Sequence, residues 1–329
     1  MNWIDTLLIP VIKAIVIVLG LLVGFAYMTL AERKLCARFQ LRYGPNQAGP
    51  FGVFQPIADA LKAIFKEEVI PGHVDKWIYV LCPILAMVPA LVAFGVVPIG
   101  RPFTIAGHPI TLQMADLNVG LLYPMAVAGL GAYGIVLGGW SSNNNYSLLG
   151  ALRATAQIIS YELPMGLALI SLVVVTGTLK MSGIVEYQAA LPLIVLQPVG
   201  FLIYFICGLA ETNRSPFDFP ETENELISGY NTEYGGIKFA LFFMAEYINM
   251  IVVSTLVVTL FLGGWQGPIL PGWMWFFIKT VFMLFVFVWI RASLPRARYD
   301  KLMKFCWKFM TPLALVNVLV TAAVVLILR

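Results

Sequence analysis

The sequence predicts an all-α polytopic membrane protein with about eight transmembrane helices, one amphipathic surface helix, and both termini on the non-cytoplasmic side. Three observations carry this. Hydrophobic residues make up 60% of the 329 residues and charged residues only 12%, about half the charged share of an ordinary soluble domain. The mean hydropathy is +0.86. The apolar residues form continuous runs rather than alternating, as a membrane β-barrel would require, so strands are not expected. No polar segment is long enough for a separate soluble domain, and residues 1–329 read as a single integral membrane domain.

Eight runs are long enough, or nearly so, to cross a ~30 Å hydrocarbon core as helices. They are Thr6–Leu30, Trp77–Pro98, Val119–Trp140, Ile158–Thr176, Leu191–Ala210, Phe239–Leu262, Trp273–Ile290 and Phe309–Leu328. The first is too long for the core of a signal peptide and no A-x-A site follows it, so a retained spanning helix is expected. Sixteen of the Lys and Arg residues lie in the first, third, fifth and seventh connections, against three on the other side (Arg101, Lys180 and Arg329). The positive-inside rule then places the odd-numbered connections in the cytoplasm or its topological equivalent.

The first connection contains an amphipathic pattern. Val53, Ile57, Leu61 and Ile64 share one side of a helix, and Gln55, Asp59, Lys62 and Lys66 another. Pro56 suits the first turn. The pattern predicts a helix at the membrane surface over 53–66.

Several apparent motifs carry no chemistry. GLGAYG (129–134) matches a dinucleotide fingerprint but lies inside the third span, where small residues allow close helix packing. Asn145-Tyr146-Ser147 is a glycosylation sequon on the inner side. Cys36, Cys82, Cys207 and Cys306 are scattered and only two histidines occur, so no metal centre is expected and the thiols read as small apolar packing groups.

Charge is concentrated in an unusual place. Residues 211–236 hold Glu211, Asp218, Glu221, Glu223, Glu225 and Glu233, with Arg214 the single basic residue among them. Apolar side chains such as Phe217, Phe219, Leu226 and Tyr230 are interleaved, which an exposed acidic tail would lack. A folded loop that buries part of its charge is expected, and crowded carboxylates can take up and release protons near neutral pH. Glu162 and Glu246 lie within spans, where an ionised carboxylate costs a few kcal/mol. Glu246 stands eight residues from Lys238, roughly 12 Å along a helix, and is expected to face the interior near Glu162 or a loop acid.

AERK (31–34), RYGPNQAGPFG (42–52), FQPIADALKAIFKEE (54–68), GWSSNNNYSLLGALRATAQIISYELP (139–164), AETNRSPFDFPETENELISGYNTEY (210–234), ALFFMAEY (240–247) and RASLPRARYDKLM (291–303) together resemble one family. It is a membrane component of proton-pumping NADH:quinone oxidoreductase, respiratory complex I: the H subunit of bacteria and subunit 1 of mitochondria. Thr222 departs from the Gly or Ala more often found there.

The resemblance implies a chamber entered by quinone from the bilayer, in the bacterial cytoplasmic membrane or the mitochondrial inner membrane. Quinone is the implied substrate, with no covalently bound cofactor. NADH, FMN and the iron–sulfur clusters are implied in partner subunits: a hydrophilic redox arm on the cytoplasmic side, with small and antiporter-like membrane subunits laterally. Lipid surrounds the chain, and no nucleic acid is implied. The implied proton-handling residues are Glu211, Asp218, Glu221, Glu223, Glu225, Glu233, Glu162 and Glu246. The implied quinone contacts are Arg42, Phe54, Asp59, Phe217 and Tyr230. Arg42 and the Arg291–Arg298 cluster are expected to dock partner subunits. Two alternatives stand beside this: the equivalent subunit of an ion-pumping membrane-bound hydrogenase, and a free-standing proton or solute transporter. The second is weakened by the lack of a visible inverted repeat.

Overall fold

A computed structural model describes residues 8–105, 108–219 and 228–328. Glu221, Glu223 and Glu225 lie outside the described residues. Seven of the described helices are long and apolar enough to cross a membrane. α1 (Ile9–Phe39) and α5 (Asn145–Thr176) run to 31 and 32 residues, well beyond the ~20 that a bilayer needs. Neither stops where its apolar run meets charge, because no Gly or Pro breaks the chain between Ala31 and Phe39 or between Ala151 and Ile158. These overhangs carry Glu32 and Gln157 out of the predicted spans and into the protein. α5 is closed at both ends. The Asn144 side chain accepts from Tyr146 N–H, and Gly177 takes a left-handed conformation with φ 69°, the usual N- and C-caps.

The other long helices are α3 (Lys76–Ala93), α4 (Leu122–Ser141), α9 (Gly236–Phe261), α10 (Gly272–Ser293) and a last span of α11 (Tyr299–Phe305), a π turn (Cys306–Met310) and α12 (Thr311–Leu328). The short helices are α2 (Gln55–Phe65), α6 (Met181–Tyr187), α7 (Leu193–Leu196) and α8 (Pro198–Glu211). α2 is the amphipathic helix expected from the sequence. It rests against α1 and α9, with Asp59 bridged to Arg33 at 2.7 Å and Ile57, Leu61 and Ile64 exposed.

Two details depart from the sequence reading. The fifth run is not one helix. Pro198 forces Gln197 out of helical geometry (φ −132°, ψ 58°), as prolines do to the residue before them. That leaves α8 with 14 residues, about 21 Å of rise. Non-helical backbone at membrane depth must be sheltered by protein, and Gln197 is 7% exposed. Its amide donates to Thr321 and accepts from Asn317, tying the break to α12. The second departure is a small antiparallel ribbon of Phe103–Ile105 and His108–Ile110 in the connection after α3, where β-branched Thr104, Ile105 and Ile110 cluster.

α9 is the axis of the bundle. Every residue from Met250 to Phe261 is buried, and α1, α3, α6, α8 and α10 pack around it. Its hydroxyls satisfy themselves: Ser254, Thr255 and Thr259 donate to carbonyls one turn back at 2.8 Å. At its C-terminal end Lys279 donates to the carbonyls of Leu262, Gly264 and Gln266, where the helix dipole favours a cation. α3 and α4 touch backbone to backbone. A Cβ on Gly134, within the GLGAYG segment, would stand 2.6 Å from the Ala86 nitrogen, which accounts for that run of small residues.

Candidate functional site

Glu246 sits in the middle of α9 and is 8% exposed. Tyr230, on the short turn Gly229–Asn231, donates its hydroxyl to Glu246 at 3.0 Å. Arg214, in the loop after α8, stands 3.6 Å from the Glu246 carboxylate and 3.7 Å from that of Glu32 on α1. Arg291, in the last turn of α10, reaches the same Glu32 oxygen. The Arg214 guanidinium lies 4.0 Å from the Tyr247 ring centre and 5.6 Å from that of Phe243. Two carboxylates and two guanidiniums therefore alternate as Glu246, Arg214, Glu32 and Arg291, the first three buried and Arg291 part-exposed at the end. Buried charge persists only when it is paired in this way, and the aromatic faces add cation–π attraction.

Beside this chain is a small cavity between α3, α4, α5, α8 and α9. Glu211, Asn213, Tyr230, Glu246 and Asn249 line it, together with small residues of α4 such as Ala128 and Gly131. Glu211 ends α8. Glu162 on α5 is near enough for the two charges to interact, and its carboxylate approaches Gly129 of α4. Neither Glu162 nor Glu211 is ion-paired among the described residues. The expectation that Glu246 faces inward beside a loop acid matches this arrangement, with Glu211 as its companion across the cavity.

Tyr230 is held in place by close approach. Gly150 of α5 meets the turn, and a Cβ there would stand 2.8 Å from the Gly229 Cα. Ser147 donates to the Gly229 carbonyl, and the Tyr230 ring meets Phe242 edge-on at 5.3 Å. Gln157, fully buried, donates to both Ala210 and Phe217 carbonyls. It thereby pins the start of the acidic loop to α5.

The remaining predicted residues fall into separate places. Asp218 is 8% exposed and accepts from Arg296 at 2.9 Å, while Phe217 rests against Tyr161. Glu233 accepts from Asn144 at 2.8 Å, and its backbone carbonyl accepts from the Tyr79 hydroxyl. The neighbouring Tyr234 stacks on Tyr79 at 4.2 Å, and burial pushes its phenol well above the ordinary value. Arg42 is exposed, bonded to Gln40, and Phe54 is 54% exposed. Asp59 is engaged by Arg33 and Gln55. Arg42, Phe54 and Asp59 thus belong to the surface around α2 and are not brought to the buried chain. Arg291 and Arg296, expected to dock partners, each pair with an acid of their own chain, and their side chains stay 37% and 44% exposed.

Glu32, Arg214 and Arg291 are the members that sequence reading did not assign to the site. Each had a signal. Glu32 follows directly on an apolar run with no helix breaker after it. Arg214 is the lone base among six acids, and Arg291 ends a span.

The chain matches the family model described as NADH dehydrogenase over residues 12–322. It is 52% identical over 301 residues to the second of the NADH-quinone oxidoreductase H subunits of Geobacter sulfurreducens, covering 92% of each chain. It is 48% identical over 324 residues to the NADH-quinone oxidoreductase H subunit of Syntrophotalea carbinolica, covering 97% of this chain and 98% of that one. A third relative, the NADH-quinone oxidoreductase H subunit of Protochlamydia amoebophila, is 52% identical over 297 residues, covering 90% of this chain and 91% of that one.

Proposed function

The chain belongs to the H-subunit family of NADH-quinone oxidoreductase, a component of an enzyme complex, and from that premise we propose that it forms part of a quinone chamber and relays protonation changes into the membrane. The observation that carries this reading is the ion-pair chain Glu246–Arg214–Glu32–Arg291, buried as far as Glu32, lying beside a cavity that also holds Glu211. The paired charges are neutral as a set. Glu211 and Glu162 have no cation paired with them among the described residues, and an acid placed so at membrane depth is rarely idle.

In this reading the acidic loop borders the quinone headgroup, and α2 borders the opening through which quinone arrives from the bilayer. Reduction takes two electrons and two protons. The charge change next to the loop alters the protonation of Glu211, Asp218 and Glu233, and of Glu221, Glu223 and Glu225 with them. Glu162 and Glu246 pass the change laterally. The electrons come from partner subunits that carry NADH, FMN and iron–sulfur clusters. Phe217 supplies aromatic surface on the loop side, and Tyr230, which is buried, acts through its hydroxyl on Glu246 rather than by touching quinone; Arg42, Phe54 and Asp59 line the α2 opening. The protein sits as one integral domain in the bacterial cytoplasmic membrane, with its odd-numbered connections and the redox arm on the cytoplasmic side and both termini opposite. Lys and Arg placement supports that orientation.

The test uses inverted membrane vesicles carrying Glu246→Gln or Glu211→Gln. Gln keeps the shape and removes the titration. NADH–ferricyanide reductase activity should be retained, while quinone-linked turnover and proton uptake fall together. Glu246→Asp should recover part of both. Wild-type pumping in both Gln variants would refute the relay.

A further inference from the structure

The cavity beside Glu246 contains a residue that the relay of carboxylates leaves unexplained. Asn213 is 6% exposed and lines the cavity. Its Oδ1 is buried and has no hydrogen-bond partner among the described residues. A buried amide oxygen left without a donor costs about 1–3 kcal/mol, so its side chain needs a reason to be there.

The backbone gives half of one. Asn213 follows the end of α8, its N–H reaches the Ala210 carbonyl at 3.3 Å, and its φ is +50°. That is a left-handed helix C-terminal position, which Asn tolerates and Gly suits best. The cap explains the conformation but not the amide, because glycine would do the same without a buried polar group.

The cavity supplies the other half. Its volume is about 40 Å³, above the ~10–15 Å³ that one water needs. Its wall offers the carboxylates of Glu211 and Glu246 and the amide of Asn249 as further partners. A water also needs two to four polar contacts, and this wall provides them.

We infer that Asn213 is a positioning residue that holds water between Glu211 and Glu246, so that a proton crosses the cavity from one carboxylate to the other. The amide oxygen accepts from the water and orients its remaining hydrogen and lone pairs toward the two acids. A proton received at Glu211 leaves as a proton delivered at Glu246, with the water regenerated. This deepens the proposed relay and rests on it.

The experiment compares Asn213→Gly and Asn213→Asp in the whole complex. Asn213→Gly keeps the left-handed backbone and deletes only the amide. It should assemble normally, judged by NADH–ferricyanide reductase. Its quinone-linked kcat should fall about ten-fold, equivalent to ~1.4 kcal/mol, with an unchanged KM for quinone and a larger slowing in deuterated water. Asn213→Asp, which restores an acceptor oxygen, should recover most of the turnover with an altered pH profile.

Wild-type turnover in Asn213→Gly would show that the residue is only a cap. Equal loss in both variants, or failure of Asn213→Gly to assemble, would assign the side chain to packing. Each of these overturns the inference. The relay itself stands or falls separately with Glu211→Gln and Glu246→Gln. If those lose pumping while Asn213→Gly does not, only the role of Asn213 is lost.

Discussion

Removing Arg214 should do more damage than removing either acid it faces. Arg214→Met keeps comparable bulk and deletes one charge that serves two buried carboxylates, Glu32 at 3.7 Å and Glu246 at 3.6 Å. At an effective dielectric of ~20, each such pair is worth about 4–5 kcal/mol of gross attraction. Most of that offsets desolvation, so the intact pairs add little net stability. Breaking them by removing one partner is different, and costs about 3–5 kcal/mol because the acids stay buried. The cation–π contact with Tyr247 adds up to ~2 kcal/mol at a desolvated site.

Glu32 retains Arg291, so the uncompensated charge falls mainly on Glu246. A second change, Glu246→Gln, then removes that charge while leaving an oxygen for the Tyr230 hydroxyl. The double variant should regain most of the lost stability and none of the pumping. The assay is the amount of assembled complex on native gels, together with the temperature at which the assembled complex falls apart on those gels. If the double variant is no more stable than Arg214→Met, or if Arg214→Met costs less than ~1 kcal/mol, the charge-neutral chain is not what holds this region together.

Other outcomes follow from the same geometry. Lys279→Met strips the donor from three carbonyls at the end of α9; it should destabilise by about 2–4 kcal/mol and raise hydrogen exchange in residues 262–267. Gly150→Ala pushes a methyl against Gly229 and should cost about 1–3 kcal/mol, with quinone-linked turnover reduced more than NADH–ferricyanide activity, since Tyr230 moves with the turn. Glu225→Gln should leave the chain inserted and reduce quinone reductase activity, because removing one of several crowded acids alters the titration of the rest; normal turnover and pumping would count against it. Changing Cys36, Cys82, Cys207 and Cys306 to Ser should leave flavin and cluster spectra of the assembled complex intact; their loss would place a redox ligand in this chain.

Helix content, the seven long spans, the surface helix α2 and the inward face of Glu246 were all legible in the residues. These are local properties. The length of an apolar run sets whether it can cross a bilayer, the spacing of apolar residues sets an amphipathic face, and a lone carboxylate eight residues inside an apolar helix must avoid lipid. Even the break at Gln197 has a local cause in Pro198, although the length of the fifth run concealed it.

Partnership was not legible. Glu32, Arg214, Glu246 and Arg291 come from α1, the loop after α8, α9 and α10, and no spacing rule joins positions so far apart. The sequence showed that acids were buried. Only the packing of those elements decided which cation neutralises which acid. It also set Arg291 on Glu32 and Arg296 on Asp218, pairings that no feature of the sequence indicated. The physical reason is that pairing depends on distances of a few ångströms between side chains, whereas hydropathy and positive-inside bias depend only on order along the chain. Asn213 shows the same division in one residue. Its left-handed backbone belongs to the end of its own helix, while its amide owes its neighbours to a cavity enclosed by five different helices.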